Sequence, residues 1–424
     1  MPTGPLEGIV VVEVGGQLSE FVGRILAGGG ADVIKVEPPG GSLTRRIGPF
    51  YEDTPDPDRS LYFWQYNLGK RGITLDLDSE DGQAIFRSLA AAVDVVLDGA
   101  PPGWLGERGL GHDDLAALNT RLISCAVTPF GQWGPYRDFA GGDLVQLALG
   151  GQMMVCGYDP AGDFDPVQPA SSYDTPPIAP QTWHSLHVSG VNAAIAVVGA
   201  LLARETTGAG QFIDVSVHEA LAACTELAVP MWIYNGAPMF RQTGRHAFPA
   251  ISQPFQFPTG DGKWLMAMGS IGFGESWRRF VQLLQAYGVA DDLADPRYED
   301  VRYRSQPEPA THISEITQLL LATGEAEDLM RSAQELGLPW SVVRRPEENL
   351  NDPHWEERGA FAQVEHPELG KSFTYLGGPW MSTDMPWVTG PRAPLVGEHT
   401  GIVLRELLGL TGTDIERLAQ AGVI

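Results

Sequence analysis

Basic residues are scarce in this chain of 424 residues: 28 Lys and Arg face 53 Asp and Glu, for a formal net charge of −25. An acidic balance of that size excludes nucleic acid and anionic membrane as partners, because neither would find a basic patch to meet. A phosphate-bearing ligand needs only a local cluster of cations, so it stays compatible with the composition. Cysteine is almost missing. Cys125, Cys156 and Cys224 are too few and too scattered for a disulfide framework or a zinc site, and they fit a reducing cytosol. The N-terminal MPTGPLEGIVVVEV has no basic segment followed by an apolar core, so no secretory signal is expected. The longest apolar run, near Val191–Ala203, ends in Arg204 and Glu205 and reads as too short for a membrane span. Two motif absences narrow the chemistry further. The first strand-to-helix turn reads VGGQLSEFVG, without G-x-G-x-x-G, and no P-loop occurs, so neither nicotinamide nor flavin is expected. H-E-x-x-H is missing too, and no metal is expected.

What the chain does contain is ample core material, at 43% apolar residues. Its length exceeds one ordinary core, so two lobes or an interdigitated oligomer is expected. GIVVVEV is a short β-branched run of the kind found in buried strands, QLSEFVGRILAGGG has helical spacing with a glycine stop, and ADVIKVE is a second strand. That is a βαβ unit, which requires a parallel sheet. ITLDLDS, EDGQAIFRSLAAAV and VDVVLDG repeat the alternation, with Asp78 or Ser79 as the helix cap, and RLISCAVTPFG follows. The expected fold is α/β with a Rossmann-like large lobe. From about Val229 the texture shifts to aromatics, Pro and Gly, with a hairpin expected at Thr259–Gly262 and amphipathic helices after it. This reads as a smaller α+β lobe. The expected division is 1–224 with 345–424 for the large lobe and 225–344 for the small one.

An ordered set of segments resembles the class III CoA-transferases, the family of formyl-CoA transferase, carnitine CoA-transferase and α-methylacyl-CoA racemase. The matching stretches include PLEGIVVVEV, GADVIKVEPPGG, NLGKRGITLDL, PFGQWGPY, GALLARETTGAGQFIDVSVHEAL, DGKWLMAM, RGAFAQVEHPELG and APLVGEHT. The resemblance implies a large lobe built from both chain ends, a small lobe between them, and an interlocked dimer. It also implies that coenzyme A, as an acyl-CoA thioester, is the substrate, with a carboxylic acid as the other partner. In such transferases an Asp carboxylate attacks the thioester and forms a mixed anhydride, which splits one difficult exchange into easier covalent steps.

The residue that should do this is missing. In the family the Asp opens a D-x-x-[ST]-G pattern ahead of a run ending A-L-x-x-R-E-x-T-G-x-G-Q. Counting back from Arg204, Glu205, Thr207, Gly208 and Gln211, the stretch here reads L-H-V-S-G, so Leu186 stands at the nucleophile position while Ser189 and Gly190 match. The racemase branch is depleted as well, since Gly142 stands where its His would be and only Asp143 remains. Asp143, His184 and His187 are therefore the catalytic candidates. The two histidines are open to acid/base work, to metal binding and to filling a vacated pocket. His218 reads as packing, and Asp174 sits in a Pro-rich loop. For CoA the resemblance implies Gln17, Arg45 or Arg46, the pair Lys70 and Arg71, Gly103, and Arg108, which is adjacent to Glu107 where the family favours a cation. Asp98-Gly99 replaces a usual Glu-Asn, and Leu18–Glu20 replaces a small A-G-P turn.

Three functions follow as expectations. The first is CoA transfer in the cytoplasm, with the nucleophilic Asp supplied by a paralogous subunit. The second is a homodimeric acyl-CoA isomerase, hydratase or lyase using His184, His187 or Asp143, and the third a non-catalytic acyl-CoA-binding protein. Trp183, Trp232, Tyr234 and Phe240 hint at a bulky apolar acyl group or at ordinary core.

Overall fold

The computed structural model describes residues 4–158, 175–180, 183–225, 227–249, 252, 254–267 and 274–424. Asp174 lies outside the described residues. The chain divides into two compact units: Met1–Gln152 with Pro180–Thr225 and Pro353–Ile424, and Met153–Ala179 with Glu226–Asp352. Sequence reading had assigned 153–179 to the large lobe. The described ends of that segment instead join the second unit, where Arg241 donates through Nε to the Tyr158 carbonyl at 2.9 Å and through Nη2 to the Thr175 carbonyl.

The first unit is built on a six-stranded parallel sheet in the order β3-β2-β1-β4-β5-β6. Its elements run β1 (Val10–Gly15), α1 (Gln17–Gly28), β2 (Asp32–Glu37), α2 (Leu61–Asn67), β3 (Arg71–Thr74), α3 (Glu80–Ala92), β4 (Val95–Gly99), α4 (His112–Ala116), β5 (Ile123–Thr128), α5 (Asp143–Leu149), α6 (His184–Thr207), β6 (Gln211–Ser216) and α7 (Val217–Ala223). Short loops and helix crossovers leave parallel pairing as the only arrangement these strands can take. Of the two caps expected for α3, Ser79 is the one in use: its hydroxyl accepts from the Gly82 N–H at 3.1 Å. Strand residues alternate between the sheet's two faces. Val12, Val14, Ile34, Val36, Ile73 and Val96 pack with Phe86 and Leu89 of α3.

The C-terminal part of this unit adds α13 (Pro353–Glu357), the hairpin β10 (Phe361–His366) and β11 (Lys371–Leu376), α14 (Thr400–Leu408) and α15 (Gly412–Gln420). Val403 and Leu418 join the α3 core. The hairpin makes a second core with Phe63, Trp64 and Leu68 through Val364 and Tyr375.

The second unit holds α8 (Ala228–Asn235), β7 (Gln256–Pro258), β8 (Trp264–Ala267), α9 (Glu275–Ala286), α10 (Val301–Arg304), α11 (Pro307–Thr323), α12 (Ala326–Glu335) and β9 (Trp340–Val343). The expected hairpin closes through Thr259 N–H to the Lys263 carbonyl at 3.0 Å, and β9 adds the third antiparallel strand. Trp277, Phe280, Leu284, Leu320, Leu329 and Trp340 form its core.

One expectation needs correction. α6 spans 24 residues and has the length and apolar composition of a membrane span, because its helix begins seven residues before the apolar run. Ala193, Ala194, Val197 and Ala200 are buried within the chain, and Arg204 near its end pairs with Asp94 at 2.9 Å. Val191, Ile195, Val198 and Leu202 stay exposed, at the spacing of one helical stripe.

Candidate active site

The strand order turns back between β1 and β4, which is where open α/β sheets hold ligands. A cavity of about 350 Å³ opens there, lined by the strand ends Gly15 and Gly99 with Thr44, Leu75, Pro101 and Trp104. Gly15 has φ +98°, and a Cβ on it would lie 2.5 Å from the Gly99 carbonyl carbon, so only glycine admits this approach. Before the crevice, Asp98 has one hydrogen bond, from the Ala100 N–H at 2.9 Å. Burial pushes its carboxyl up to about 7.

Beneath the crevice runs a buried charge network. Glu13 and Lys35 face each other across the β1–β2 register and are fully buried. Lys35 reaches Glu13 at 3.1 Å and Glu20 at 2.8 Å, and Lys70 reaches Glu13 at 2.7 Å. Burial works against every one of these charges. It wins at Lys70, which falls to about 8. At Lys35 the three carboxylates of Glu20, Glu13 and Glu37 outweigh it and hold the ammonium above its ordinary value. At Glu13 the two lysines outweigh it and hold the carboxyl low. Thr44, on the cavity wall, donates to Glu20 at 2.6 Å.

This network changes the role of the expected CoA cations. Lys70 spends its ammonium inside, on Glu13, the Glu20 carbonyl and Asn67. Arg45 is buried too, with its guanidinium forked onto Glu37 at 2.7 and 2.8 Å, paired with Asp58 at 2.7 Å, and stacked on Phe63. Arg71 holds Asp32 and Glu406. Arg108 lies over Trp104 at 3.8 Å and pairs with Asp78, both cavity residues. Arg46 is exposed beside the cavity residue Thr44 and has no ion pair among the described residues. Gly103 has φ +81°, and its N–H donates to Gln132 at 3.2 Å. Arg137, overlooked in the sequence although it follows the matched GPY, donates to the carbonyl of Pro102 in the same turn at 3.2 Å.

The second half of the site is the start of α6. Asp143, the first residue of α5, caps it. Its carboxylate accepts from Trp183 N–H at 3.0 Å, Ser185 N–H at 2.9 Å and Ser185 Oγ at 2.6 Å. Leu186, one turn in, is 5% exposed. The aromatic rings of Phe21, Tyr62, Tyr66, Trp183 and His187 meet one another around this turn. His187 Nε2 lies 2.7 Å from the Tyr66 hydroxyl. Burial, with the nearby His184, lowers the His187 pKa, and burial pushes the Tyr66 hydroxyl up to about 12. Near neutrality the pair is an uncharged imidazole and a phenol that can donate to it. His184 has no hydrogen bond among the described residues. The Tyr62 hydroxyl faces Gln17 and Glu20 yet makes no hydrogen bond of normal geometry, and it is buried.

A match to the model of CoA-transferase family III extends over residues 6–400. The chain belongs to that family. It is 31% identical over 417 residues to the succinyl-CoA:(R)-benzylsuccinate CoA-transferase subunit BbsE of Thauera aromatica, covering 98% of this chain and 97% of that protein. It is 32% identical over 433 residues to the succinyl-CoA–D-citramalate CoA-transferase of Chloroflexus aurantiacus, covering 100% and 99%. Among solved structures, a CAIB/BAIF family protein from Brucella suis superposes with TM-score 0.78 at 28% identity, covering 96% of this chain and all of that one.

Within the family III frame, the remaining sequence candidates scatter. Trp232 and Tyr234 are exposed on α8 and Phe240 is buried in the second unit, whereas Trp183 packs on Tyr62 in the first. His218 packs against Phe130. Among the described residues, the His/Asp group whose donor atoms cluster as a metal site would is Asp291, Asp292 and His312, and it includes neither His184 nor His187. Asp292 is engaged there by Arg297, by the Tyr298 hydroxyl at 3.2 Å and by His312 at 2.6 Å. Tyr66 was missed, although Tyr62 and Tyr66 are spaced to share a helix face.

Proposed function

We propose that this chain is one subunit of a class III CoA-transferase that moves CoA from an acyl-CoA donor to a carboxylic acid, and that a paralogous subunit supplies the attacking Asp. The observation that carries the reading is Leu186, buried at the first turn of α6 with no carboxylate to spare beside it among the described residues. Asp143 accepts three hydrogen bonds as a helix cap, and a hydrocarbon side chain has no lone pair with which to open a thioester. One relative named above is itself a subunit of a succinyl-CoA-dependent transferase, which supports a dicarboxylic acyl donor and an assembly of unlike chains. The bare stripe Val191, Ile195, Val198 and Leu202 on α6 suits burial against such a chain. The setting is the cytoplasm, the partners are acyl-CoA and a carboxylic acid, and the crevice contacts are Gln17, Arg46, Gly103, Arg108 and Arg137. Lys70 and Arg45 hold the floor of that crevice in shape, while Arg71 pairs with Asp32 and Glu406 at the opposite ends of the strands.

Expression of the chain alone and together with a paralogous family III chain from the same genome tests this. Transfer from succinyl-CoA is expected only from the pair, with its loss on Asp→Ala in the partner. Turnover by the lone chain would refute the reading. Leu186→Asp should raise transfer by the lone chain at least about 10-fold above background, because it restores the missing nucleophile.

The Tyr66–His187 hydrogen bond favours a second reading, in which a homodimer performs acid/base chemistry on an acyl-CoA. His187→Ala would then abolish a reaction that the lone chain performs.

A further inference from the structure

Arg24 is the exception among the buried cations of the described residues. Lys35, Arg45, Lys70 and Arg204 each hold a carboxylate, and Arg241 and Arg304 each hold a carbonyl. Arg24, 6% exposed on α1, makes neither an ion pair nor a hydrogen bond, and its Nη1 is a buried donor with no acceptor. Its guanidinium lies over the ring of Trp387, 5.0 Å from the centroid. The indole Nε1 of that same tryptophan is buried without an acceptor as well.

Trp387 is firmly held. A Cβ on Gly28 would fall 2.0 Å from its ring, Val388 N–H donates to the Gly28 carbonyl at 2.7 Å, and Trp380 packs edge-on at 4.8 Å. Neither donor can be excused as surface disorder. Guanidinium and indole are donors only, and a guanidinium cannot shed its charge by deprotonating in a protein. Burial lowers Arg24 to about 10, which leaves it cationic at neutral pH. Unpaired buried charge is among the most unfavourable features a fold can carry, so a missing acceptor is the economical explanation.

We propose that Arg24 and Trp387 form a carboxylate-binding site that this chain leaves open. A carboxylate matches the charge of one guanidinium and fits its planar fork with two oxygens, leaving a lone pair for the indole N–H. A carbonyl would satisfy the donors without neutralising the charge. The carboxylate is either a free organic acid or an Asp or Glu side chain of an adjoining subunit. The apolar side chains exposed on the same segment, Trp380, Met381 and Met385, suit either occupant. The site stands apart from the transfer reading, since none of its residues contributes to the crevice or to the start of α6.

The test compares wild type, Arg24→Met and Trp387→Phe, melted in acetate or succinate against sodium chloride at equal ionic strength, and followed by sedimentation across protein concentration. A free acid gives a saturable rise in melting temperature for the wild type, lost in R24M and at least halved in W387F. A subunit carboxylate gives no such rise, and instead an association constant at least 10-fold weaker in R24M. Dilute R24M should melt no lower than wild type, because the substitution removes an uncompensated charge. If R24M does not fold, W387F carries the same two readouts with the cation kept. A saturable rise of equal size from chloride and from the carboxylates, or variants matching wild type in both melting and association, would overturn the proposal.

Discussion

The crevice at the sheet's switch point and the first turn of α6, the two halves of the candidate site, hold charge in opposite ways. The crevice floor is crowded with charge: Glu13, Glu20, Lys35 and Lys70 are all buried and mutually paired. The α6 start holds one carboxylate, Asp143, spent as a cap, and buries Leu186 beside a ring of aromatic side chains. On the proposed reading, a crevice floor held at a cost in buried ions beside a turn whose carboxylate is spent as a cap is what a subunit relying on another chain would show.

Four perturbations probe that contrast, in descending size. Glu13→Gln leaves buried Lys70 without a carboxylate and Lys35 with Glu20 in place of two partners, and unfolding in denaturant should show a loss of about 4 kcal/mol. Asp98→Asn should have the opposite sign, and its effect should depend on pH. With a folded pKa of about 7 against an ordinary 3.8, the fold binds this proton more tightly than the open chain does. The stability it contributes is present at pH values below the ordinary value and is lost as pH rises to 7. Asn imitates the protonated form, so it should stabilise by about 2 kcal/mol at pH 8 and be close to neutral near pH 4. A flat comparison across that range would remove Asp98 from the list of strained crevice groups.

At the other region, Asp143→Ala removes the cap of α6 and should lower stability by about 1–2 kcal/mol. Transfer by the assembled enzyme should fall less than about 5-fold, the modest effect of a structural cap rather than the loss of a general base. Tyr66→Phe is the mildest, about 1 kcal/mol for one buried hydrogen bond, with turnover within about 3-fold of wild type. A loss above about 100-fold in Y66F would shift the chemistry back into this chain, since general acid–base groups contribute at that level.

The parallel lobe was legible because β-branched runs alternate with glycine-stopped helices, and the pattern of GIVVVEV and ADVIKVE admits only one pairing. The same runs contained an unread signal. Glu13 and Lys35 interrupt strands buried on both faces, which predicts a buried ion pair on neighbouring strands before any coordinates exist. The cations were misjudged for a related reason. Sequence spacing shows that Lys70 and Arg45 are there, but not that Glu13 and Glu37 lie close enough to absorb them, because those partners are eight or more residues away along the chain. The placing of Leu186 at the nucleophile position rests on counting from a gap-free anchor, and the structure shows that residue buried at the first turn of α6. The Tyr66–His187 bond joins residues 121 positions apart and depends on how α1, α2 and α6 pack, which no local pattern encodes. The length of α6 was underread because its first turn is polar and is held by a cap supplied from α5.

The uncovered stripe on α6 also has a consequence for how the protein is made. Four aliphatic side chains in a row, 44–73% exposed, give a newly synthesised copy a sticky flank until another chain covers it. A cell that makes this chain in excess would leave the surplus to aggregate or be degraded. On the proposed reading, abundance should therefore follow that of the paralogous subunit rather than its own synthesis rate, and production in a foreign host should yield soluble material in proportion to how much of that subunit is co-expressed.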